Sequence, residues 1–447
     1  MRPQADDDGE TIVAISTPPG VGGIGVVRVS GPSVVSIAFE LLGGVPATRT
    51  AKFCRFRDEQ HQAIDEGIGL FFEAPNSYTG EDVLELHGHG GPLVLDLLVE
   101  RVLRLGARAA RPGEFTERAF LNGKLDLAQA EAVADLIASR TQAAARAAMR
   151  SLSGTFSEEL TALDSKLAEL RVYVEADIDF SDEGIEGLAP ATIKAELVSV
   201  RGDLNKLLDR ARPGILLATG AVVVLAGAPN AGKSSVMNAV AGTDRAIVSD
   251  RPGTTRDLVE TDISLDGLSL RLIDTAGLRD STDPLEGEGI RRATAAINKA
   301  DLTLLVIDDT VDSKKSEERI YTKAPILRVV NKCDVTGRPY GLIPNRHNSI
   351  AFSATEKKGL EELLSAIKSV LAYEYTEAPV SARRRHLDAL ERANNHLEAA
   401  GTEEATALLE LCAEELRLAQ DAIGEVTGRV TTEDLLGKIF STFCVGK

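Results

Sequence analysis

From Gly227 to Ser234 the chain reads GAPNAGKS, which satisfies G-x-x-x-x-G-K-[ST] at every fixed position. The β-branched run Ala221 to Ala226 (AVVVLA) leads into it, and a helix-compatible run from Ser235 to Val240 leaves it. A strand, a loop and a helix in that order make a cradle for a nucleoside triphosphate. Gly227 and Gly232 let the loop through Asn230 and Ala231 turn its N–H groups inward to the phosphates, and the following helix adds its positive end. Lys233 is a point charge for the β- and γ-phosphates. Ser234 offers a hydroxyl to magnesium, with Ser235 beside it.

Four further segments decide the base and the reaction. Asn331, Lys332, Cys333 and Asp334 spell NKCD after an apolar run, where a carboxylate accepts both N1–H and the exocyclic amine of guanine. Adenine has no such donor pair, so two charge-assisted bonds give a guanine preference of roughly 10² to 10⁴. Ser353 and Ala354 are expected to offer backbone N–H to the guanine O6. Asp274, Thr275, Ala276 and Gly277 (DTAG) end a strand-like run, with Asp274 in the magnesium shell and the Gly277 N–H at the γ-phosphate. Thr254 and Thr255, in GTTRD, lie in the loop that closes over the metal, Thr255 as its second protein ligand. Ser249, Asp250, Arg251, Pro252 and Gly253 lead into them as part of the nucleotide loop. Five short motifs in this order specify a GTP site.

One position departs from the Ras-like pattern. There a Gln directly after D-x-x-G orients the attacking water; here Leu278 stands in its place. Charge on the leaving phosphate also needs a neutraliser. Asn230 puts an amide oxygen beside the β–γ bridge, where a monovalent cation can replace an arginine finger worth 10³–10⁵ in rate, about 4–7 kcal/mol. Arg256 and Arg279 are the finger candidates by position, each equally readable as a salt-bridge former.

The rest of the chain must position this machinery. Its 447 residues exceed one ordinary core, so two or three domains are expected. A net charge of −18 argues against non-specific coating of nucleic acid but leaves room for a local basic patch. Cys54, Cys333, Cys412 and Cys444 have no paired spacing, as suits a reducing cytosol. The beginning, MRPQADDDGE, is acidic where a secretory signal is basic and then apolar, and no apolar run is long enough for a bilayer. Cytoplasmic residence is therefore expected, with no membrane contact.

Residues 1–123 mix strand-like runs (Thr11 to Ser16, Gly25 to Ser30, Val83 to Leu86) with Gly- and Pro-rich turns. Gly20, Gly22 and Gly25 imitate a dinucleotide fingerprint, but they precede a strand when they should follow one. His87 and His89 sit at strand spacing with no third ligand near, which favours a turn or ligand-lining role over a metal. Residues 124–215 are Ala-rich with helical periodicity, broken near Ser153-Gly154. The acidic stretch Asp177 to Glu186 lacks the spacing of a calcium loop and reads as a solvated helix junction. Arg212-Pro213-Gly214 predicts a helix end. Residues 216–374 alternate strands (Ala221–Ala226, Ser269–Ile273, Leu302–Ile307, Ile326–Val330, Ser349–Phe352) with helices, as a doubly wound, mostly parallel sheet does. Residues 375–447 are helical again, over Arg383 to Gln420 and Thr432 to Phe443. The expected fold is thus a Ras-like α/β G domain inserted into a split α-helical domain.

With these residues in view, the chain resembles the MnmE (TrmE) family of tRNA-modifying GTPases. Besides the GTP motifs, the resemblance rests on PNSYTGEDVLELHGHGGP (75–92), RPGEFTERAFLNGKLDLAQAEAVADLI (111–137), EADIDF (175–180) and the ending LLGKIFSTFCVGK. It implies an α+β N-terminal folate-binding and dimerisation domain similar to glycine-cleavage T-protein. In the family, Asn230, Ser249, Arg251 and Thr254 hold potassium, which draws two G domains together, and Glu286 orients the water. Ser249 and Arg251 depart from the usual Thr and aliphatic residue, although backbone carbonyls serve regardless of side chain. Arg28, Glu85, Lys124 and Lys447 match positions that bind a 5-formyl- or 5,10-methylene-tetrahydrofolate. Cys444 is the candidate for chemistry at the uridine, or else a packed terminal thiol; the ending Gly446-Lys447 is a poor prenylation box.

The reading is a potassium-activated GTPase that works as a homodimer with a flavin-dependent partner of the MnmG (GidA) type. Together they attach an aminomethyl or carboxymethylaminomethyl group to C5 of the wobble uridine of tRNA. Its alternative is a regulatory or ribosome-assembly GTPase whose flanking domains bind partners. A mechanical, membrane-remodelling GTPase is disfavoured, because no membrane-directed helix is visible.

Overall fold

The computed structural model describes residues 9–179, 190–242, 259–274, 300–311, 324–344, 346–371 and 380–446. The chain divides into two compact units, Met1–Ala134 with Ser151–Leu204 and Asp388–Lys447, and Asp135–Arg150 with Asn205–Leu387.

The first unit opens with a six-stranded sheet: β1 (Ile12–Ile15), β2 (Gly22–Ser30), β3 (Lys52–Arg57), β4 (Ala63–Phe72), β5 (Val83–Gly90) and β6 (Arg108–Ala109). Its spatial order is β3-β4-β5-β2-β1-β6. Period-2 alternation assigns its faces. Val27 and Val29 of β2 and Leu84 and Leu86 of β5 bury against the helices Val34–Leu42 and Pro92–Arg104. Gly25 leaves room there for Leu95, whose methyl would stand 2.6 Å from a Cβ and would have to shift. Gly22 therefore begins a strand and Gly25 makes room for the helix packed on it. Arg28 and Glu85, the residues between, face the other way, as do Ile12 and Ala14, which pack on Phe115.

Helices Thr155–Asp179, Arg384–Ala400 and Leu409–Thr427 supply the unit's helical part. Residues from either side of the nucleotide segment interlock in it. Asp164 accepts from Arg429 and Gln420, and Arg201 donates to Glu398 at 3.0 Å. The break expected at Ser153-Gly154 is a turn, with Gly154 at φ +94° directly before the long helix.

The second unit carries a seven-stranded sheet: β7 (Ala221–Ala226), β8 (Val259–Leu265), β9 (Leu268–Asp274), β10 (Leu302–Asp308), β11 (Ile326–Asn331), β12 (Gly341–Leu342) and β13 (Ser349–Ala351). The order is β12-β13-β11-β10-β7-β9-β8. Five strands run parallel, and β8 and β12 add antiparallel edges. The parallel strands read as continuous apolar runs because both faces are covered.

One expectation is overturned. Pro213 lies inside the helix Pro190–Thr219 and does not end it. Gly214 explains the pair: its Cβ would stand 1.8 Å from the Val380 carbonyl oxygen, so the segment at Val380 crosses the helix where only glycine fits. The Pro-Gly signal thus marks a close backbone approach within a continuing helix, at the cost of one helical hydrogen bond.

Candidate functional site

β7 lies between β10 and β9, so the chain leaves it to opposite sides of the sheet and opens a crevice at the C-terminal strand ends. The Gly227–Gly232 loop fills that crevice and runs into the helix Lys233–Ala241. Gly227 is at φ +141°, and a Cβ there would come within 2.2 Å of the Val306 carbonyl oxygen. Gly232 is at φ +94°, with the Asn331 Nδ2 2.4 Å from where its Cβ would be. Both glycines are demanded by backbone geometry and by neighbours. Asn230 also takes a left-handed conformation, at φ +63°.

Lys233 is buried, and its Nζ donates to the carbonyls of Gly227 and Ala228 at 3.0 Å each, which holds the ammonium over the loop. Ser234 Oγ donates to Asp274 Oδ2 at 2.5 Å, bringing a hydroxyl from one element and a carboxylate from another into contact. Two hard oxygens at the cradle's mouth suit Mg²⁺, which binds through few protein ligands, water and phosphate.

The base-reading side is tied to the same loop. Asn331 is buried; its Nδ2 donates to the Ala231 carbonyl and its Oδ1 accepts from the Ala354 N–H, both at 3.1 Å. Ala354 and the phosphate loop are thus spaced by one side chain. Ser353 N–H donates to Lys358 at 3.1 Å, and its hydroxyl accepts from Glu356 N–H. Lys332 sits at φ +66° and reaches Asp308 at 2.6 Å. Burial alone would raise the Asp308 pKa, but the Lys332 ammonium and the Thr310 hydrogen bonds outweigh it and hold the carboxyl below its usual range. Asp334 is exposed on the single turn Cys333–Thr336.

In the first unit, Arg28 and Glu85 are direct cross-strand partners. Arg28 donates through Nε and Nη2 to Glu85 Oε1 at 3.0 and 2.7 Å, and His87 Nε2 lies 3.1 Å from Oε2. The guanidinium carbon stands 5.4 Å from the Tyr78 ring centre and 5.8 Å from that of Phe115. Burial pushes the Glu85 carboxyl up, yet the Arg28 charge and the bonds from Arg28 and His87 bring it below the usual carboxylate value. Lys124 Nζ donates to the Pro75 carbonyl at 2.9 Å, and its stem lies against Gly80. The C-terminal tail comes to the same sheet: Ser16 Oγ donates to the Gly446 carbonyl at 3.0 Å. Cys444 is exposed, and its carbonyl accepts from the Gly113 N–H. The set has the types an anionic pterin needs, cations with one pairing carboxylate.

Comparison with known proteins gives the lineage. A family model described as the MnmE helical domain matches residues 127–444, and one described as the GTP-binding protein TrmE N-terminus matches residues 11–124. The tRNA modification GTPase MnmE of Methylococcus capsulatus is 51% identical, covering 99% of this chain and 100% of its own. That of Marinobacter nauticus is 48% identical, over 100% of both chains. The chain belongs to the MnmE family of tRNA modification GTPases. Among solved structures, the G domain of the T. maritima FeoB iron transporter aligns at 25% identity, over 34% of this chain and 98% of that one, with a TM-score of 0.25. The Ras-like order of the second sheet is read from its own strands.

Several predicted MnmE-type positions lie outside the described residues: Ser249, Asp250, Arg251, Pro252, Gly253, Thr254, Thr255 and Arg256, then Thr275, Ala276, Gly277, Leu278, Arg279 and Glu286, and Lys447. Within them, the structure brings together Asn230, Ala231, Gly232, Lys233, Ser234, Ser235, Asp274 and Asn331 at one strand end. It adds groups the GTP motifs do not contain. Asp308 and Asp309 close β10, and Tyr78, Phe115 and His87 surround Arg28. The acidic pair directly after an apolar strand was the available signal for the first group; the second is assembled only across the sheet. Among the described residues no group of three His, Cys, Asp or Glu could hold a metal, and no helix is long and apolar enough to cross a membrane.

Proposed function

We infer that this chain hydrolyses GTP with Mg²⁺ in the modification of tRNA, and we propose the finer reading that it installs an aminomethyl or carboxymethylaminomethyl group on C5 of the wobble uridine. The observation that carries the GTPase is the Ser234–Asp274 contact at 2.5 Å beside the Lys233 ammonium, with the guanine-reading turn bound to the same loop through Asn331. Ser234 and Thr255 would hold the magnesium, which neutralises charge on the phosphates. Asn230, Ser249, Arg251 and Thr254 would hold a potassium ion in the place of an arginine finger. Glu286 would orient the water that Leu278 cannot.

The chain would act as a homodimer, in the cytoplasm, with an FAD protein of the MnmG (GidA) type. The domains proposed are 1–123 for folate and dimerisation, 124–215 and 375–447 for the helical part, and 216–374 for the G domain. A folate carrying a one-carbon unit would supply the methylene. Arg28, Glu85, Lys124 and Lys447 would hold it, as the T-protein likeness suggests, and Cys444 would serve chemistry at the uridine.

The test is the steady-state GTPase rate in potassium against sodium at equal ionic strength, with Asn230→Ala alongside. A gain specific to potassium and lost in the variant supports the cation mechanism. Equal rates in both salts would move the finger role to Arg256, Arg279 or an activating partner.

A further inference from the structure

Asp334 and Ala354, the two groups proposed to read guanine, follow β11 and β13, which are neighbours in the second sheet. Asn331 joins their segments beside the phosphate loop. Tyr340, which belongs to neither motif, makes a second connection from its place just before β12.

The loop 353–358 turns back on itself. Ser353 and Lys358 form an antiparallel bridge, with the Ser353 N–H donating to the Lys358 carbonyl at 3.1 Å. Ser353 Oγ accepts from the Glu356 N–H at 3.2 Å. Gly359, at φ +82°, completes the bend where a Cβ would stand 2.6 Å from the Ala351 carbonyl oxygen. Glu356 and Lys358 thereby come side by side, 2.9 Å apart. Tyr340 reaches this pair: its hydroxyl donates to Glu356 Oε2 at 3.0 Å, and Lys358 Nζ stands 5.5 Å from its ring centre. The ring itself packs on the buried cluster of Val330, Cys333 and Ala351. Cys333 belongs to the NKCD turn, Val330 precedes Asn331, and Ala351 ends β13. One side chain therefore rests on the root of one guanine reader and bonds the loop of the other.

We propose that Tyr340 is a positioning residue for guanine recognition, holding the loop 353–358 so that the Ala354 N–H meets the base O6 while Asp334 meets N1–H and the amine. Its two parts act on different segments. The ring supports the NKCD turn through Cys333, and the hydroxyl supports the loop through Glu356. Glu356 and Lys358 are 43% and 59% exposed, so their ion pair alone is screened and fixes little. The hydroxyl bond to a charged carboxylate, with the ring under the ammonium, adds a definite geometry. The proposal rests on the guanine reading of Asp334 and Ala354.

The experiment is displacement of fluorescent GDP from the full chain by GDP, ADP and two guanine analogues. In 6-thioguanosine diphosphate a weaker acceptor, sulfur, replaces O6; inosine diphosphate keeps O6 but lacks the amine. Tyr340→Phe keeps the ring and removes only the hydroxyl. Its preference for GDP over the 6-thio analogue is expected to shrink about threefold, the scale of one hydrogen bond to an exposed carboxylate. Its preference for GDP over inosine diphosphate should stay that of the parent. Glu356→Ala removes the other end of the bond and should give the same selective loss, with the double variant adding nothing further. Tyr340→Ala, which also takes the ring off Cys333, should shrink both preferences. Unchanged preferences in Tyr340→Phe overturn the proposal, as does an equal loss of both, which would mean general loosening. A parent that prefers GDP to ADP but not to the 6-thio analogue removes Ala354 from base reading and overturns it too. A parent with no preference for GDP over ADP would instead bring down the guanine reading itself, and the role of Tyr340 with it.

Discussion

Asp309, just after β10, receives Arg338 through two bonds, Nη2 to Oδ1 at 2.8 Å and Nε to Oδ2 at 2.9 Å, across the turn proposed to read guanine. Thr336 Oγ1 donates to the same carboxylate at 2.5 Å. Asp308 meanwhile holds Lys332. The two neighbouring carboxylates thus pin the turn before and after Asp334, the residue expected to read guanine. Asp309 is 8% exposed, while Arg338 is 42% exposed and partly screened by solvent.

Arg338→Ala should therefore loosen the turn without touching the nucleotide. Its exposure discounts the pair to about 1 kcal/mol, so GDP affinity is expected to fall about fivefold. Fluorescent-GDP titration checks this, with inosine diphosphate as a second ligand. Discrimination between the two bases should shrink as well; an unchanged ratio and affinity would mean the clamp is ornamental.

Gly227→Ala forces a Cβ to 2.2 Å from the Val306 carbonyl oxygen in a backbone region that L-residues avoid. GTP binding should drop by more than about a hundredfold, and the unfolding midpoint should fall, because strain of roughly 1–3 kcal/mol adds to the clash. Gly202→Ala is the contrast: it lies in a helix with open space around its Cβ, and should gain about 0.5–1 kcal/mol. A binding assay and a melt on both variants decide the matter.

Arg28→Ala removes the cation that meets Glu85 at 2.7 Å over the Tyr78 and Phe115 rings. Affinity for 5-formyl-tetrahydrofolate, read by calorimetry, should fall at least tenfold. Retention of the parent affinity would remove Arg28 from the folate site.

Glu114 is fully buried between Arg108, at 2.6 Å, and Arg118, at 3.1 Å, and also accepts from the Arg111 N–H. Burial raises its pKa, but the Arg108 bonds, the Arg111 N–H and both arginine charges leave it below the ordinary 4.5. A depressed folded value means the stabilisation is complete above pH 4.5 and is lost as pH falls through the folded value. Glu114→Gln should destabilise the first unit by about 3–5 kcal/mol at neutral pH, with the deficit shrinking below pH 4.5. Urea unfolding at pH 7 and pH 4 tests it, and a deficit that stays constant with pH would contradict the charge account.

What could be read directly was local. The triphosphate loop is a contiguous string whose residue types are dictated by backbone conformation and phosphate charge, so GAPNAGKS specified strand, loop and helix together. The parallel strands were legible because both their faces are buried. Four of the five strands that the periodicity did not reveal, β3, β6, β8 and β12, are sheet edges. An edge strand is half solvated and carries charge, as KFCRFR and VETDISL do, so its apolar signal is diluted. The Pro213-Gly214 pair was misleading for a related reason. Its meaning lies in Val380, more than a hundred and sixty residues away, whose carbonyl needs the missing side chain.

Sequence alone named the family and the chemistry to look for: a GTP cradle, a proposed pair of magnesium ligands and a proposed guanine reader. Tertiary structure alone decided which distant groups share a space. It set Arg28 opposite Glu85 by strand register, Asp309 against Arg338 by the turn after β11, and Tyr340 between Cys333 and Glu356. Such pairings depend on how strands and helices pack, and no spacing along the chain encodes that distance.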